Sequence, residues 1–361
     1  MIESKENVKK ILTYKPGRPI EEVVRELHLK GEVIKLASNE NPLGASPLAL
    51  KAMRDCLRES YLYPDDNCFY LRNALAGKFG VSPAEIALGN GSVEILPQIT
   101  LAYLGPDSSA VVSEGAFIWH KIAVNIAGGE LIEVPQKNFT YDLKAVRGAL
   151  KKNTKLIFIA NPNNPTGTMV TREDMDELFR NLPDDILVVM DEAYSEYITD
   201  PGFPDSFRYF REGKNILILR TFSKIYGLAG PRLGYGFARK EIISDLMKVR
   251  ISFNVNRLSQ AAGIAALGDE VHVRRGLRMN NAGKEFLYDA YRKLGLFHLP
   301  TYGNFLFVDF ARDSRIVFEA LQKKGIITRT IKEYGFPNAL RITIGTEQQN
   351  QRLIRTLKRI L

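Results

Sequence analysis

Residues 220–235 read R-T-F-S-K-I-Y-G-L-A-G-P-R-L-G-Y, and this stretch decides how the rest of the chain is interpreted. The apolar run before it, residues 215–219, has the pattern of a buried strand. Thr221 and Ser223 then lead directly into Lys224. Because glycines and a proline follow, a long regular helix cannot continue from the lysine. The pattern predicts a lysine on a tight turn at the end of a buried strand.

Lys224 has the predicted surroundings of a reactive amine. Burial and the positive charge of Arg232 would both lower the pKa of its side chain, and a neutral amine attacks carbonyl groups. Two hydroxyls and a guanidinium around one point also suit a phosphate. An amine nucleophile beside a phosphate site predicts pyridoxal phosphate, bound as a Schiff base. This stretch alone leaves open a lysine on an ordinary surface turn.

The composition is that of a globular protein with a basic balance. The chain has 361 residues, of which 45% are hydrophobic and 25% are charged, and a formal net charge of +9. This length predicts one large domain and a smaller one. Because basic residues alternate with acidic ones, a nucleic-acid-binding protein is the less favoured interpretation. No apolar run approaches the ~20 residues of a membrane span, and the N-terminus has no apolar signal segment, so we expect a cytoplasmic protein without a membrane partner.

The cysteines and histidines do not have the spacing of metal ligands. Cys56 and Cys68 are the two cysteines, and the four histidines are scattered along the chain. No metal site is therefore expected, and these side chains are interpreted as structural. His120 is the one histidine that could have another role, because Trp119 and His120 could reshape a pocket wall beside Phe117.

Alternating strand and helix patterns predict the fold. Strands are predicted at residues 86–88, 110–113, 130–134, 155–160, 186–190, 216–219 and 234–238. Short apolar strands with helical crossovers imply a three-layer α/β fold with a mainly parallel sheet. A second strand and helix pattern from about residue 297 predicts a smaller α/β domain. The predicted division is 1–45 for an N-terminal arm and part of the small domain, 46–270 for the large cofactor-binding domain, and 271–361 for the small C-terminal domain.

Polar residues follow the predicted strands at their carboxyl ends, where such sheets bind ligands. Gly91 and Ser92 open a helix whose N-terminus would attract a phosphate. Asp191 could keep the ring nitrogen of pyridoxal protonated. Asn164 and Tyr194 could bind its 3-oxygen. A side chain after another strand, Phe117, could stack on the ring.

Ten motifs extend this pattern over nearly the whole chain. They are L-A-S-N-E-N-P at 36–42, Y-P-D at 63–65, G-N-G-S at 89–92, N-P-N-N-P-T-G at 161–167, D-E-A-Y at 191–194, T-F-S-K at 221–224, G-L-A-G-P-R-L-G-Y at 227–235, F-N-V-N at 253–256, G-N-F at 303–305 and L-R-I-T-I-G at 340–345. With them the chain resembles the fold-type I pyridoxal-phosphate aminotransferases, and within these the histidinol-phosphate aminotransferase subgroup. The resemblance implies transamination between L-histidinol phosphate and 2-oxoglutarate in histidine biosynthesis, with imidazole acetol phosphate and glutamate on the other side.

The resemblance also implies residue roles. Lys224 would be the catalytic residue, holding the cofactor and moving a proton. The cofactor would be bound by Gly91, Ser92, Val93, Phe117, Asn164, Asp191, Tyr194, Thr221, Ser223, Lys224 and Arg232. Tyr63 would reach the cofactor phosphate from the neighbouring subunit, which implies a homodimer. Tyr14, Asn39, Arg329 and Arg341 would line the substrate pocket, the arginines taking the phosphate of one substrate and the carboxylate of the other.

Two departures from the family pattern leave the substrate open. Gly115 and Ala116 precede Phe117 where the family often has proline and threonine. Thr328 and Thr330 stand on either side of Arg329, where the family often has valine and proline. An aromatic amino-acid aminotransferase and a threonine-phosphate decarboxylase are therefore alternatives to the histidinol-phosphate reaction.

Overall fold

Helices and short strands alternate along the described part of this computed structural model, which comprises residues 2–11, 13 and 17–361. The helices are α1 (Glu6–Lys9), α2 (Ile20–Leu27), α3 (Pro47–Cys56), α4 (Phe69–Phe79), α5 (Ser92–Tyr103), α6 (Ile118–Ala127), α7 (Leu143–Gly148), α8 (Arg172–Arg180), α9 (Ser206–Arg211), α10 (Lys240–Val249), α11 (Arg257–Leu267), α12 (Glu270–Lys293), α13 (Ser314–Lys323) and α14 (Glu347–Ile360). The strands are β1 (Ile34–Lys35), β2 (Ile86–Gly89), β3 (Ser109–Ser113), β4 (Glu130–Val134), β5 (Gln136–Lys137), β6 (Thr140–Tyr141), β7 (Thr154–Ala160), β8 (Leu187–Asp191), β9 (Ile216–Thr221), β10 (Gly234–Phe237), β11 (Phe297–His298), β12 (Phe305–Asp309), β13 (Ile326–Ile327), β14 (Arg329–Ile331) and β15 (Phe336–Thr343).

Seven apolar strands form the central sheet. Their order is β2-β10-β9-β8-β7-β3-β4, and β10 alone runs antiparallel to its neighbours. Every residue of β2, β3, β8 and β10 is buried, as a sheet covered on both faces requires. Each predicted strand of this region is present within a residue or two, and the predicted mainly parallel α/β fold is confirmed.

The smaller sheet is antiparallel, and an N-terminal strand packs beside it. Its strand order is β11-β12-β15-β14, and β1 pairs with β13 in a separate parallel pair. Ile34 and Leu36 pack into one core with buried side chains of α12, β12, α13, β15 and α14. Residues 326–331 form two short strands, because the chain leaves the pairing with β1 after β13 and then pairs with β15 as β14. The domain boundaries at residues 45 and 270 stay predictions.

Two kinds of feature are absent from the described residues. No helix there combines the length and apolar character that crossing a membrane requires. No group of three or more His, Cys, Asp and Glu side chains in the same residues is arranged as metal ligands would be.

The antiparallel strand β10 passes in backbone contact with the start of α5. A Cβ atom at Gly234 would lie 2.0 Å from the backbone nitrogen of Ser92. Gly91, which precedes the helix, has a φ of +80°, and a Cβ atom there would lie 2.3 Å from the guanidinium of Arg232. Only glycine fits such approaches, and they bring the α5 N-terminus beside Arg232.

Replacing Gly234 by alanine should lower the free energy of unfolding by about 3 kcal/mol, because backbone atoms would have to move to admit the methyl group. Denaturant unfolding measures the change. Gly230→Ala is the matched control, since its Cβ atom would meet nothing within 4 Å, and its effect should stay within about 0.5 kcal/mol. Equal effects of the two substitutions would contradict the close approach.

Candidate active site

A cavity of about 250 Å³ lies where β7, β8 and β9 end. It is lined by Ser38, Glu40, Ser92, Val93, Phe117, Ala160, Pro162, Asn164, Asp191, Ala193, Tyr194, Thr221, Ser223, Lys224, Ala229 and Arg232. Among the predicted cofactor residues, only Gly91 and Tyr63 are not in this lining. A larger cavity of about 380 Å³, beside α7 and α8, includes none of the predicted site residues that the structure describes. The carboxyl ends of neighbouring strands thus bring most of the predicted site together.

Lys224 is half-buried and presents its amine to this cavity. It comes shortly after β9, and its Nζ donates a hydrogen bond to the carbonyl of Ser38 at 3.2 Å. Burial, followed by the positive charges of Arg341 and Arg232, lowers the pKa of Lys224 from 10.5 to about 8, although Glu40 and Asp191 oppose the shift. About a tenth of this amine is then neutral at pH 7, and the neutral form is the one that attacks carbonyl groups.

One end of the cavity carries groups that suit an anion. The hydroxyl of Thr221 donates to that of Ser223 at 3.0 Å, and Arg232 reaches the Ser223 hydroxyl at 3.5 Å. Ser92 begins the 12-residue helix α5, so backbone N–H groups of its first turn are present at the same end. Hydroxyls, a guanidinium and a helix N-terminus are together a typical phosphate site.

Asp191 supplies a buried carboxylate as the last residue of β8. Its Oδ1 accepts from the Ala193 backbone at 3.2 Å, and its Oδ2 lies 3.4 Å from Nε2 of His120. His120 is fully buried and stacks on Phe158, with ring centroids 5.2 Å apart. The imidazole therefore supports the carboxylate from behind and does not form part of the pocket wall. The sequence suggests only that His120 could reshape a pocket wall, and it does not indicate this contact with Asp191.

Asn164 and Tyr194, predicted to bind the 3-oxygen of the cofactor, accept hydrogen bonds from two predicted substrate residues. Arg341 is buried, and it donates to Oδ1 of Asn164 at 2.7 Å. The side-chain nitrogen of Asn39 donates to the hydroxyl of Tyr194 at 2.9 Å. Arg341 also donates to the carbonyl of Ala37. The chain segment around residue 39 and strand β15 thus hold cavity-lining residues from the side of the small domain.

The remaining predicted residues lie around the cavity or elsewhere. Arg329 pairs with Arg341 across the β14–β15 ladder, and its guanidinium makes an ion pair with Glu333 at 2.5 Å. Tyr63 is 78% exposed and stacks on Phe253 at 4.7 Å, away from the lining of the cavity in its own chain. Tyr14 lies outside the described residues.

Sequence reasoning missed Ser38 and Glu40, which line the cavity on either side of Asn39. Asn39 has a φ of +57°, a left-handed conformation that asparagine tolerates better than most residues. The dense run of polar side chains in the motif at 36–42 was the available signal. It did not reveal which of these side chains would face the cavity.

Comparison with known proteins supplies the family. The family described as aminotransferase class I and II matches residues 31–357. The chain belongs to this aminotransferase family. A histidinol-phosphate aminotransferase of Moorella thermoacetica is 49% identical over 99% of this chain and 92% of that protein. One of Anaeromyxobacter sp. is 46% identical over 98% of each chain.

A solved structure extends the comparison to three dimensions. Histidinol-phosphate aminotransferase of Sinorhizobium meliloti, crystallised in complex with pyridoxal-5'-phosphate, is 28% identical to this aminotransferase. The two chains superpose with a TM-score of 0.91 over 99% of this chain and 97% of that one. The likeness therefore covers both the large sheet and the small domain.

Lys224→Met should stabilise the ligand-free aminotransferase at pH 7 by about 1–2 kcal/mol, a value reduced for the partial exposure of the lysine. The folded-state pKa of Lys224, about 8, lies below the ordinary 10.5. The unfolded chain therefore binds more protons between these values, and the wild type gains stability as the pH rises from 8 to 10.5. The advantage of the variant should disappear by pH 10.5, as measured by denaturant unfolding.

Lys144→Met is the control for this measurement. Its side chain is 76% exposed, so the free energy of unfolding should stay within about 0.5 kcal/mol of the wild type at either pH. A Lys224→Met advantage that did not change with pH would show that packing, and not the buried charge, causes it.

Proposed function

We propose that this aminotransferase transfers the amino group of L-histidinol phosphate to 2-oxoglutarate with pyridoxal 5'-phosphate as its cofactor. The products would be imidazole acetol phosphate and glutamate, as a step of histidine biosynthesis in the cytoplasm. One observation carries the proposal: Lys224, the Asp191 carboxylate and the anion-binding group of Thr221, Ser223 and Arg232 line a single cavity. The chain is also 49% identical to the Moorella thermoacetica histidinol-phosphate aminotransferase.

The residues around the cavity fit this cofactor. An amine with a pKa lowered to about 8 suits a covalent bond to an aldehyde. The missing side chain of Gly91 leaves Arg232 room beside the start of α5, where a phosphate would bind. Phe117 lines the cavity and could pack against the ring. The buried Asp191 carboxylate would hold the proton of the ring nitrogen.

The side chains of the protein would orient the substrate and move its proton. When bound, the cofactor withdraws electrons from the carbon that carries the amino group. Lys224 would take the proton from this carbon and return it later, since its lowered pKa suits both directions near neutral pH. Asn164 and Tyr194 would hold the 3-oxygen of the cofactor. Arg341 would turn from Asn164 toward the substrate carboxylate.

Arg329 and Arg341 would choose between phosphate and carboxylate ligands. They are direct partners in the β14–β15 ladder, so their side chains leave the same face of the small sheet. An anionic group could therefore be reached by both arginines. Such a pair suits a dianionic phosphate in one half-reaction and a carboxylate in the other. Tyr14 and Asn39 stay proposed members of the same substrate pocket.

We also propose a homodimer whose active sites combine residues of two chains. Tyr63 belongs to an exposed surface rich in large apolar side chains, namely Tyr61, Leu62, Tyr63, Phe69, Tyr70, Ile251 and Phe253. Exposed apolar surface of this kind is typical of a protein interface. A second copy covering it would bring Tyr63 to the phosphate end of the partner's cavity.

A substrate panel tests the proposed reaction. With 2-oxoglutarate and bound cofactor, kcat/KM for histidinol phosphate should exceed that for phenylalanine or tyrosine by about 10- to 100-fold, the effect of one or two charged hydrogen bonds to the phosphate. Glutamate formation is the measurement. Faster turnover of the aromatic amino acids, or release of carbon dioxide from threonine phosphate without a keto acid, would overturn the histidinol-phosphate assignment.

Arg329→Gln should raise KM for histidinol phosphate about 10-fold or more and leave that for phenylalanine within about twofold. The variant keeps a side chain of similar length and removes the charge that would meet the phosphate. Arg315→Gln is the control, because Arg315 is a 77% exposed arginine of α13, and both KM values should stay at the wild-type level. Equal losses for both substrates in Arg329→Gln would argue against a phosphate contact.

Tyr63→Phe should weaken binding of pyridoxal phosphate about 10-fold by removing one hydrogen bond to its phosphate. Cofactor titration followed by visible absorbance measures this loss, and Tyr61→Phe should bind normally. Dimers formed by mixing Tyr63→Phe chains with Lys224→Ala chains test the shared site. Each mixed dimer should regain one site of native affinity, since that site combines an intact Lys224 with an intact Tyr63 of the other chain. No recovery would mean that Tyr63 does not act across subunits.

A further inference from the structure

Thr343, on the last strand of the small sheet, connects the small domain to Tyr194. It lies two positions after Arg341 on β15, so both side chains point to the same face of the strand. From this face Arg341 donates a hydrogen bond to Asn164. Thr343 is buried, and its hydroxyl makes two hydrogen bonds with Asn39. Thr343 lies within the motif at 340–345, but the sequence indicates no separate role for it.

Three hydrogen bonds link Thr343 to Tyr194 through Asn39. The backbone nitrogen of Asn39 donates to the Thr343 hydroxyl at 3.0 Å, and this hydroxyl donates to Oδ1 of Asn39 at 3.1 Å. Nδ2 of Asn39 then donates to the Tyr194 hydroxyl at 2.9 Å. All three residues are buried, at 3%, 1% and 4% exposure for Thr343, Asn39 and Tyr194.

The three bonds have a defined direction. The single proton of the Thr343 hydroxyl is accepted by the amide oxygen of Asn39, and turning the amide over would take this acceptor away from a buried hydroxyl. The amide nitrogen must then face Tyr194. Because the Tyr194 oxygen accepts this bond, the tyrosine proton is directed away from Asn39. Tyr194 itself lines the cavity.

We propose that Thr343 is a positioning residue, which fixes the direction of the Tyr194 hydroxyl through the side chain of Asn39. The inference rests on the proposed function, in which Tyr194 donates to the 3-oxygen of pyridoxal phosphate. Without the Thr343 hydroxyl, the Asn39 amide can turn over and present its oxygen to Tyr194. The tyrosine would then donate to Asn39 and be lost as a donor to the cofactor.

A second contact of the same loop supports this role. Asn39 is held at a φ of +57°, a conformation that costs energy for residues other than glycine. Its neighbour Ser38 offers the carbonyl that accepts from Nζ of Lys224. The two bonds from Thr343 therefore hold a loop that contacts both the tyrosine and the catalytic lysine.

The test compares Thr343→Val, which keeps the shape and removes the hydroxyl, with Thr343→Ser, which keeps the hydroxyl. Both proteins are loaded with pyridoxal phosphate, and visible absorbance is followed against pH. A hydrogen-bond donor to the 3-oxygen of the cofactor favours the anionic form of this oxygen. The bound cofactor of the valine variant should therefore lose its proton at a higher pH. The midpoint of the absorbance titration should rise by about one pH unit, the equivalent of one hydrogen bond. The serine variant should return to the wild-type midpoint.

Thr328→Val is the matched control. Thr328 is a buried threonine of the same domain, and its hydroxyl has no hydrogen-bond partner among the described residues. Its midpoint should equal that of the wild type. If Thr343→Val does not fold, Thr343→Ala removes the hydroxyl without placing a methyl group against Asn39, and the same rise is expected. An unchanged midpoint in the hydroxyl-free variant, or an equal rise in Thr328→Val, overturns the proposal.

The same experiment separates the two levels of inference. A wild-type protein that binds no pyridoxal phosphate contradicts the proposed function itself. A wild type that binds the cofactor and transaminates, beside a hydroxyl-free variant with an unchanged midpoint, contradicts only the role of Thr343.

Discussion

The amine of the half-buried Lys224 lies within the electrostatic influence of two arginines, and the rest of the site depends on this constraint. Burial and the charges of Arg341 and Arg232 make the ammonium form costly, so the pKa of Lys224 falls to about 8. The two arginines come from different parts of the molecule. Arg232 precedes β10 in the large sheet, and Arg341 belongs to the small one. The reactivity of one side chain is therefore set jointly by both sheets.

Much of the fold and of the cofactor site could be predicted from the sequence, because their signals are local. Buried parallel strands are continuous apolar runs, and their carboxyl ends meet at one edge. The convergence of the polar residues near the end of each run, such as Asp191 and Ser223, can therefore be predicted even when the loop conformations are not known. The predicted role of His120 was vague because its contact with Asp191 depends on how α6 packs against β8, which no short pattern contains.

The contacts that couple the two ends of the chain could not be predicted. Asn39 and Tyr194 are 155 positions apart, and Arg341 and Asn164 are 177 apart. Each residue alone resembles a common surface polar side chain, and only the tertiary fold makes it a partner. The same holds for the hydrogen bonds from Thr343. The hydrogen bonds that orient the site residues join distant parts of the chain, although local motifs mark most of the site residues themselves.

The pairing of β1 with β13 has a consequence for how the protein forms during synthesis. Ile34 pairs with Ile326, so the small domain joins one segment to another that is made much later in synthesis. The last strand of the central sheet ends at Phe237, so the strands of this sheet can pair while the chain is still growing. Residues near position 34 meet their partner strand only after β13 has been made. Ser38 and Glu40 of the cavity wall lie just after β1, so the strands of the large sheet can pair before this wall is anchored.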